Sequence, residues 1–234
     1  MHIPRSIEPE WLDGLPPDDP RALRSRRDLR RVNALMRNTA IVAGELKRNF
    51  PNRSPRVIAE LGAGDGTLML RLAERMQWPG VHAVLLDQQD IVSTRTLAGF
   101  TALSWTAETA TADVFEWLAQ PQGRIFDVIV ANLFLHHFDP ARLQTLLSLA
   151  AQCTRVLIAC EPRRARLALA GSRLLGIVGC NDVSRHDAIV SVRAGFAGCE
   201  LSALWPAGPS WRLQERAQGV FSHCFVASRR DNND

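Results

Sequence analysis

The sequence predicts an α/β protein with a seven-stranded, mostly parallel sheet, helices on both faces of that sheet and an N-terminal helical extension. Apolar, β-branched runs alternate along the chain with segments of helical periodicity, as in folds built on parallel strands. The last two predicted strands have no helix between them, which predicts an antiparallel final hairpin. The length of 234 residues and the hydrophobic fraction of 46% suit one domain of ordinary size with a sizeable core.

The chain divides into a predicted N-terminal extension, residues 1–50, and a predicted α/β domain, residues 51–230. The extension begins with a stretch rich in Pro and Asp, which predicts irregular structure up to Pro20. From Arg21 to about Phe50, apolar residues recur at steps of three and four, which predicts one or two helices. We expect these helices to cover a ligand site as a lid. The residues expected to face that site are Arg30, Arg31, Asn33 and Met36.

Short apolar runs and helical patterns give the order of the remaining elements. The predicted strands are Arg56–Leu61, Ala83–Asp87, Phe100–Trp105, Phe126–Ala131, Arg155–Cys160, Cys199–Trp205 and Val220–Ser228. The predicted helices are Thr67–Met76, Ile91–Leu97, Val114–Leu118, Ala141–Cys153, Arg163–Leu175 and Ile189–Ala197. The polar stretch from Trp205 to Gln218 is expected to connect the last two strands as a long hairpin.

Three glycines at alternate positions, Gly62, Gly64 and Gly66, follow the first of these strands. Glycines let the backbone turn sharply and leave no Cβ in the way of a ligand. In a parallel sheet, ligands bind beyond the carboxyl ends of the strands, near the start of the next helix. The loop therefore predicts a small-molecule site at this edge of the sheet.

The spacing of the loop differs from the Gly-x-Gly-x-x-Gly of nicotinamide and flavin dehydrogenases. The run Glu60-Leu61-Gly62-Ala63-Gly64-Asp65-Gly66 resembles the first motif of class I S-adenosylmethionine-dependent methyltransferases. Further along, Asp87, Asp113-Val114 and the segment from Phe126 to Phe138 are similar to that family's later motifs. The overall pattern resembles bacterial quinone-pathway and natural-product methyltransferases, whose fold has the same seven strands and terminal hairpin.

The resemblance implies S-adenosylmethionine as the cofactor and assigns a role to each motif. Glu60 would hold the ammonium group, Asp87 the ribose hydroxyls and Asp113 the adenine amino group. Val114 would pack on the adenine ring, and Asn132 would lie beside the sulfonium. The other residues implied are Gly62, Ala63, Gly64, Gly66, Gln88 and Leu133. The residue types leave structural alternatives open. Glu60 could be a strand-end acid that accepts hydrogen bonds from local amides, Asp87 and Asp113 could be helix caps, and Asn132 could be a turn former.

A hydroxyl or phenol acceptor has to lose its proton during methyl transfer, and a histidine near neutral pKa suits that step. The chain contains no tyrosine, and Asn132-Leu133-Phe134-Leu135 lacks the two prolines and terminal aromatic residue of amine-methylating relatives. These features favour transfer to oxygen of a small, rather apolar molecule. The candidate catalytic residues are His136, His137 and His186, each of which could instead be a packing or capping residue.

The composition sets wider bounds on the function. The net charge of +4 permits an anionic partner, and the alternatives are an RNA or protein methyltransferase and a non-catalytic cofactor-binding protein. Without an appended RNA-binding domain, a nucleic-acid partner is not expected. The five cysteines lack metal-ligand spacing, so we expect no metal and a cytoplasmic location. An apolar face between Arg163 and His186, which includes Ile177 and Val178, would suit an acceptor pocket, a homodimer contact or core packing equally well.

Overall fold

The computed structural model describes residues 3–16, 18–120, 125–176 and 179–230. Its strands are β1 (Val57–Leu61), β2 (His82–Asp87), β3 (Thr106–Thr111), β4 (Phe126–Asn132), β5 (Thr154–Pro162), β6 (Trp211–Gln218) and β7 (Ser222–Arg229). They form one sheet in the order β3-β2-β1-β4-β5-β7-β6. The first five strands are parallel, and β7 is antiparallel to both β5 and β6. The predicted fold class is confirmed.

Helices cover both faces of this sheet. The helices are α1 (Pro20–Met36), α2 (Asn38–Asn49), α3 (Thr67–Met76), α4 (Thr94–Ala102), α5 (Val114–Ala119), α6 (Pro140–Cys153), α7 (Arg166–Arg173), α8 (Asp182–Ala194) and α9 (Glu200–Leu204). One apolar core joins α2, α3 and α4 to one face, and a second joins α5, α6 and α9 to the other. Side chains alternate between the faces of a strand, so Ile58 lies in the first core and Ala59 in the second.

Two predicted strands are wrong, and both errors concern the edges of the sheet. Phe100–Trp105 was predicted as the third strand, but Phe100 lies in α4, whose Ser93 side chain caps the Thr96 amide at 3.1 Å. Cys199–Trp205 was predicted as the sixth strand but contains α9. The true edge strands, β3 and β6, are polar because one side of each lacks a strand neighbour and their residues remain partly exposed. The long connection expected between the last two strands is not found in the described residues. A tight turn at Gly219 connects β6 directly to β7.

Helix boundaries differ in the segments that follow the strands. The helix predicted at Ile91–Leu97 begins three residues later, at Thr94. The helix predicted at Ile189–Ala197 begins earlier, at Asp182, and the side chain of Asn181 caps it. The helix predicted at Arg163–Leu175 is the shorter α7 followed by a 3₁₀ turn, Leu174–Gly176. The predicted apolar residues Ile177 and Val178 lie outside the described residues.

The N-terminal extension divides at Arg37, whose left-handed conformation ends α1 and starts α2. Val42 and Leu46 of α2 are fully buried in the first core, so α2 is part of the main body of the protein. By contrast, α1 lies against α8, beyond the carboxyl ends of the strands, where α7 and α8 also pack together. Three helices therefore cover the edge of the sheet at which β1, β2 and β4 end.

None of the described helices is long and apolar enough to cross a membrane.

We predict that Gly62→Ala and Gly64→Ala differ strongly in stability. Both glycines have positive φ, +68° and +55°, so alanine at either position costs about 1–2 kcal/mol. A Cβ at Gly62 would also lie 2.3 Å from Cδ2 of Phe134, whereas a Cβ at Gly64 meets no atom within 4 Å. Displacing the Phe134 ring should add about 1–3 kcal/mol to the loss. Urea unfolding of both variants measures this, and equal losses would contradict it.

Candidate active site

A cavity of about 500 Å³ lies at the carboxyl ends of β1, β2 and β4. The glycine loop and the residues after β2 and β4 line one part of it, as predicted for a ligand site. The other part is enclosed by α1, α7, α8 and residues 10–13. The predicted site residues that line the cavity are Glu60, Gly62, Ala63, Gly64, Asp87, Gln88, Val114, Asn132, Leu133, His136 and His137, and Arg30, Asn33 and Met36 line it from α1.

Glu60 lies at the end of β1 with only 2% of its surface exposed. Its Oε2 atom has no hydrogen-bond partner. Burial, followed by the charges of Asp65 and Asp87, raises the pKa of this carboxyl well above its ordinary value and disfavours the carboxylate in the free protein. A buried acid with an unused oxygen facing a cavity is suited to a ligand that brings positive charge.

The glycine loop is held in shape by the acid at the end of β2. Asp87 accepts the Gly64 amide at 2.8 Å through one oxygen and the Gln89 amide at 2.9 Å through the other. On the far side of the loop, Arg30 of α1 forms an ion pair with Asp65 at 2.8 Å. The helix that covers the cavity is therefore connected directly to the loop that forms its floor.

Asn132 and Leu133 form the end of β4. The Asn132 amide donates to the side-chain oxygen of Asn33 in α1 at 3.3 Å, and its own oxygen is buried without a partner. Leu133 has a φ of +52°, which is rare for a residue with a branched side chain. Strained backbone of this kind persists where the surrounding contacts fix it, and it is common at functional sites.

Four of the predicted residues do not line the cavity. Arg31 of α1 instead forms an ion pair with Asp28 at 3.3 Å. Gly66 precedes α3 and its amide donates to the Ala63 carbonyl at 3.0 Å. Asp113 caps α5, accepting the Phe115 amide at 2.8 Å and the Glu116 amide at 3.2 Å. His186 stacks on Trp11 with ring centroids 3.9 Å apart, and its Nδ1 contacts Asp187 at 3.0 Å. The capping alternative thus describes the contacts of Asp113, and its contact with adenine stays a prediction.

His136 lies between two carboxylates. Its Nδ1 is 2.7 Å from Oε2 of Glu161, and its Nε2 is 3.4 Å from Oε1 of Glu10. Burial opposes the charged ring, but the hydrogen bonds to Glu10 and Glu161 outweigh it and raise the pKa of His136 to about 9. In the same way, the contact with His136 overcomes burial and lowers the pKa of Glu10 to about 2. His136 is therefore an imidazolium at neutral pH and has no lone pair with which to accept a proton.

His137 has the opposite character, although the two rings lie only 4.3 Å apart. Burial, followed by the charge of His136, lowers the pKa of His137 to about 4. The ring also hydrogen bonds to the backbone of Leu133, and its Nδ1 is 3.6 Å from a carboxylate oxygen of Asp13. His137 is thus a neutral histidine that lines the cavity beside a charged one.

Sequence reasoning missed the acids that complete this arrangement. Glu161 is fully buried at the end of β5, where an acid in an otherwise apolar strand was a usable signal. Glu10 and Asp13 come from a segment that was predicted only to be irregular. Asp187, the neighbour of His186 in the sequence, also accepts the Trp11 and Leu12 amides at 2.8 and 3.1 Å. No local pattern shows that residues 10–13 reach the site.

Comparison with known proteins decides what kind of site this is. Residues 58–157, which include the glycine loop, Asp87 and Asn132, match the family model of a methyltransferase domain. The chain therefore contains a methyltransferase domain of the S-adenosylmethionine-dependent kind. No curated protein matches its sequence.

Solved structures share the fold of this methyltransferase at low sequence identity. The plantazolicin methyltransferase BpumL, in complex with SAH, is 13% identical with a TM-score of 0.67, over 91% of this chain and 92% of that one. An O-methyltransferase family protein from Burkholderia thailandensis is 16% identical with a TM-score of 0.59. That match covers 92% of this chain but only 62% of the Burkholderia protein. At such identities the likeness shows the fold alone.

We predict that Asp187→Ala detaches residues 3–13 from the methyltransferase. Hydrogen bonds to a buried carboxylate contribute about 1.5–3 kcal/mol, so their loss should raise the detached population roughly tenfold or more. Limited trypsin cleavage at Arg5 measures this population. Asp182→Ala is the matched control on the same helix, because its side chain is 88% exposed. Equal cleavage rates in the two variants would show that Asp187 does not hold the segment.

Proposed function

We propose that this methyltransferase transfers the methyl group of S-adenosylmethionine to an oxygen of a small, rather apolar molecule, a phenol or another hydroxyl compound. The observation that carries the proposal is the second part of the cavity. Its walls include apolar side chains of α1 and α7 beside polar ones from residues 10–13 and α8, and the His136–His137 pair lies where the cavity meets the end of β4. The apolar side chains in this part of the cavity suit an acceptor with a small ring or chain. They are Leu29, Val32, Leu35, Ala168 and Leu175.

The cofactor would occupy the part of the cavity between the glycine loop and Asn132. Glu60 would bind its ammonium group, and Asp87 its ribose, with Gln88 and Val114 beside the adenine. The free oxygen of Asn132 would face the methionine end. This arrangement directs the methyl group toward His137, and alignment of the acceptor with the sulfonium supplies much of the rate of an in-line displacement.

The proposed proton acceptor is His137. A neutral histidine ring carries a lone pair on one of its two nitrogens. The lowered pKa keeps this lone pair free at every physiological pH. His136 is excluded from the role by its proton, and His186 by its position outside the cavity lining.

The comparisons support a small-molecule acceptor. The structure of the plantazolicin methyltransferase BamL holds a triazolic desmethylPZN analog together with SAH. It is 12% identical to this chain with a TM-score of 0.66, and the match covers 94% and 93% of the two chains. The Burkholderia thailandensis structure belongs to an O-methyltransferase family protein. A lid role for residues 1–50, a cytoplasmic location and a homodimer stay predictions.

The direct test offers the enzyme matched panels of phenols, aliphatic alcohols and amines, with bulk RNA and protein as further acceptors. S-adenosylhomocysteine formation and the mass of each product are measured. Methylated phenols or alcohols support the proposal. Methylation confined to amines, RNA or protein overturns it, and cofactor binding without transfer to any acceptor supports a non-catalytic role.

We predict that His137→Asn lowers kcat about 10²–10⁴-fold and leaves the affinity for S-adenosylhomocysteine nearly unchanged, since the ring acts on the acceptor. In the wild type, the rate should be constant between about pH 5 and pH 8, and it should fall near pH 4, where the ring of His137 gains its proton. His82→Asn is the control, because His82 lies at the opposite end of β2 and contacts Thr106. A rate that His137→Asn does not change removes His137 as the base.

We predict that cofactor binding releases a proton from Glu60. Burial favours the protonated carboxyl in the free protein, and a neighbouring ammonium group favours the carboxylate. Calorimetry with S-adenosylhomocysteine, in buffers of different ionisation enthalpy, should therefore show more protons released by the wild type than by Glu60→Gln. Glu74→Gln is the control on the exposed side of α3. Equal proton release by wild type and Glu60→Gln would place the ammonium group elsewhere.

A further inference from the structure

The N-terminal segment, residues 3–13, crosses the loop that carries the two histidines, residues 133–138. Arg5 holds this histidine loop by its backbone: its guanidinium donates to the His136 carbonyl at 3.3 Å and the Phe138 carbonyl at 3.0 Å. The same guanidinium donates to the Ala194 carbonyl at 2.7 Å. The segment is therefore fixed between the histidine loop and the end of α8.

Glu10 adds a side-chain contact from the same segment. Its carboxylate accepts the Ser191 hydroxyl of α8 and lies 3.4 Å from Nε2 of His136. On the other side of the ring, Glu161 contacts Nδ1 and also accepts the Phe134 and Leu135 amides at 3.1 and 2.9 Å. The side chain of His136 is 3% exposed, so water does not replace either carboxylate.

This geometry determines the charge of the ring. A neutral imidazole has one N–H and one lone pair, and here the lone pair would face a carboxylate at close range. Only the doubly protonated ring donates to both neighbours. The raised pKa of His136 and the lowered pKa of Glu10 agree with that assignment.

We propose that Glu10 is a positioning residue: by holding His136 as an imidazolium, it fixes the histidine loop and leaves His137 as the neutral member of the pair. The catalytic part of this inference rests on the proposed function, in which His137 accepts the proton. The part that concerns the charge of His136 does not depend on any acceptor. The N-terminal segment is in this view a component of the active site and not only its cover.

Charged groups from several elements face this ring. Glu10 and Asp13 come from the N-terminal segment, Glu161 from β5, Asp187 from α8, and Arg5 lies over the loop backbone. Glu161 and Glu10 are the two that contact the ring nitrogens. Because an opposite charge in contact typically raises the pKa of a histidine by about 1–3 units, removing Glu10 should lower the pKa of His136 by about one unit or more.

The first test is an NMR titration of the histidine ring protons in the full-length protein with S-adenosylhomocysteine added. His136→Asn identifies the resonance. In the wild type, His136 should stay protonated through pH 8 and titrate near pH 9, and in Glu10→Gln it should titrate at lower pH. Glu8→Gln is the matched control, because this residue of the same segment has a side chain 49% exposed and should leave the titration unchanged.

The second test separates positioning from simple structural support. If a hydroxyl acceptor is found, the alkaline limb of the rate profile should move to lower pH in Glu10→Gln and return toward the wild type in Glu10→Asp, which keeps the charge. A purely structural role would lower the rate at every pH without moving that limb. Failure to methylate any hydroxyl overturns the proposed function and leaves the titration result standing.

A wild-type His136 that titrates near its ordinary pKa of 6.5 overturns the inference. So does an unchanged titration in Glu10→Gln. Should Glu10→Gln fail to fold, the wild-type titration alone still decides the charge of the ring, and Glu10→Asp tests the contribution of the carboxylate.

Discussion

The arrangement of the active site depends on one buried carboxylate, that of Glu161. It receives two backbone amides of the histidine loop and the Nδ1 proton of His136, so a single side chain fixes both the path of the loop and the orientation of the ring. A fully buried charge is costly unless it is paired and hydrogen bonded, and here all three donors come from the loop it holds. The loop in turn places the Phe134 ring over Gly62, which explains why that position of the glycine loop excludes a side chain.

The two parts of the cavity also differ in their electrostatics. At the histidine end, the imidazolium of His136 lies between two carboxylates and compensates part of their negative charge. At the cofactor end, Glu60 has an unused oxygen, and burial with the acidic neighbours Asp65 and Asp87 raises its pKa and disfavours its negative charge. A cationic ligand is therefore favoured at the cofactor end, where the negative charge of Glu60 is not compensated. The protein thus distinguishes the cofactor end from the acceptor end before either ligand is bound.

The sequence was sufficient for the fold class, the central strands and most of the residues that line the cavity beside the glycine loop. Buried strands such as β1 and β4 have continuous apolar runs, and the residues after them lie at one edge of the sheet by topology alone. The edge strands β3 and β6 were misplaced because exposed strands lack that apolar pattern. Phe100 and Trp205, which suggested strands nearby, are buried but lie in a helix and a loop. Glu10 was missed because its contact with His136 joins residues more than a hundred positions apart, which no local pattern shows.

The position of the N-terminal segment links substrate access to chemistry. Any acceptor that reaches His137 must pass residues 10–13 or the helices α1 and α8. Asp187 of α8 is hydrogen bonded to residues 10–13 through the Trp11 and Leu12 amides. Opening the cavity by moving the segment would also withdraw Glu10 from His136 and Asp13 from His137. The proton would then leave His136 more easily, and the loop would lose one of its two fixed ends. Any movement of the segment would therefore change access to the cavity and the charge state of the two histidines together.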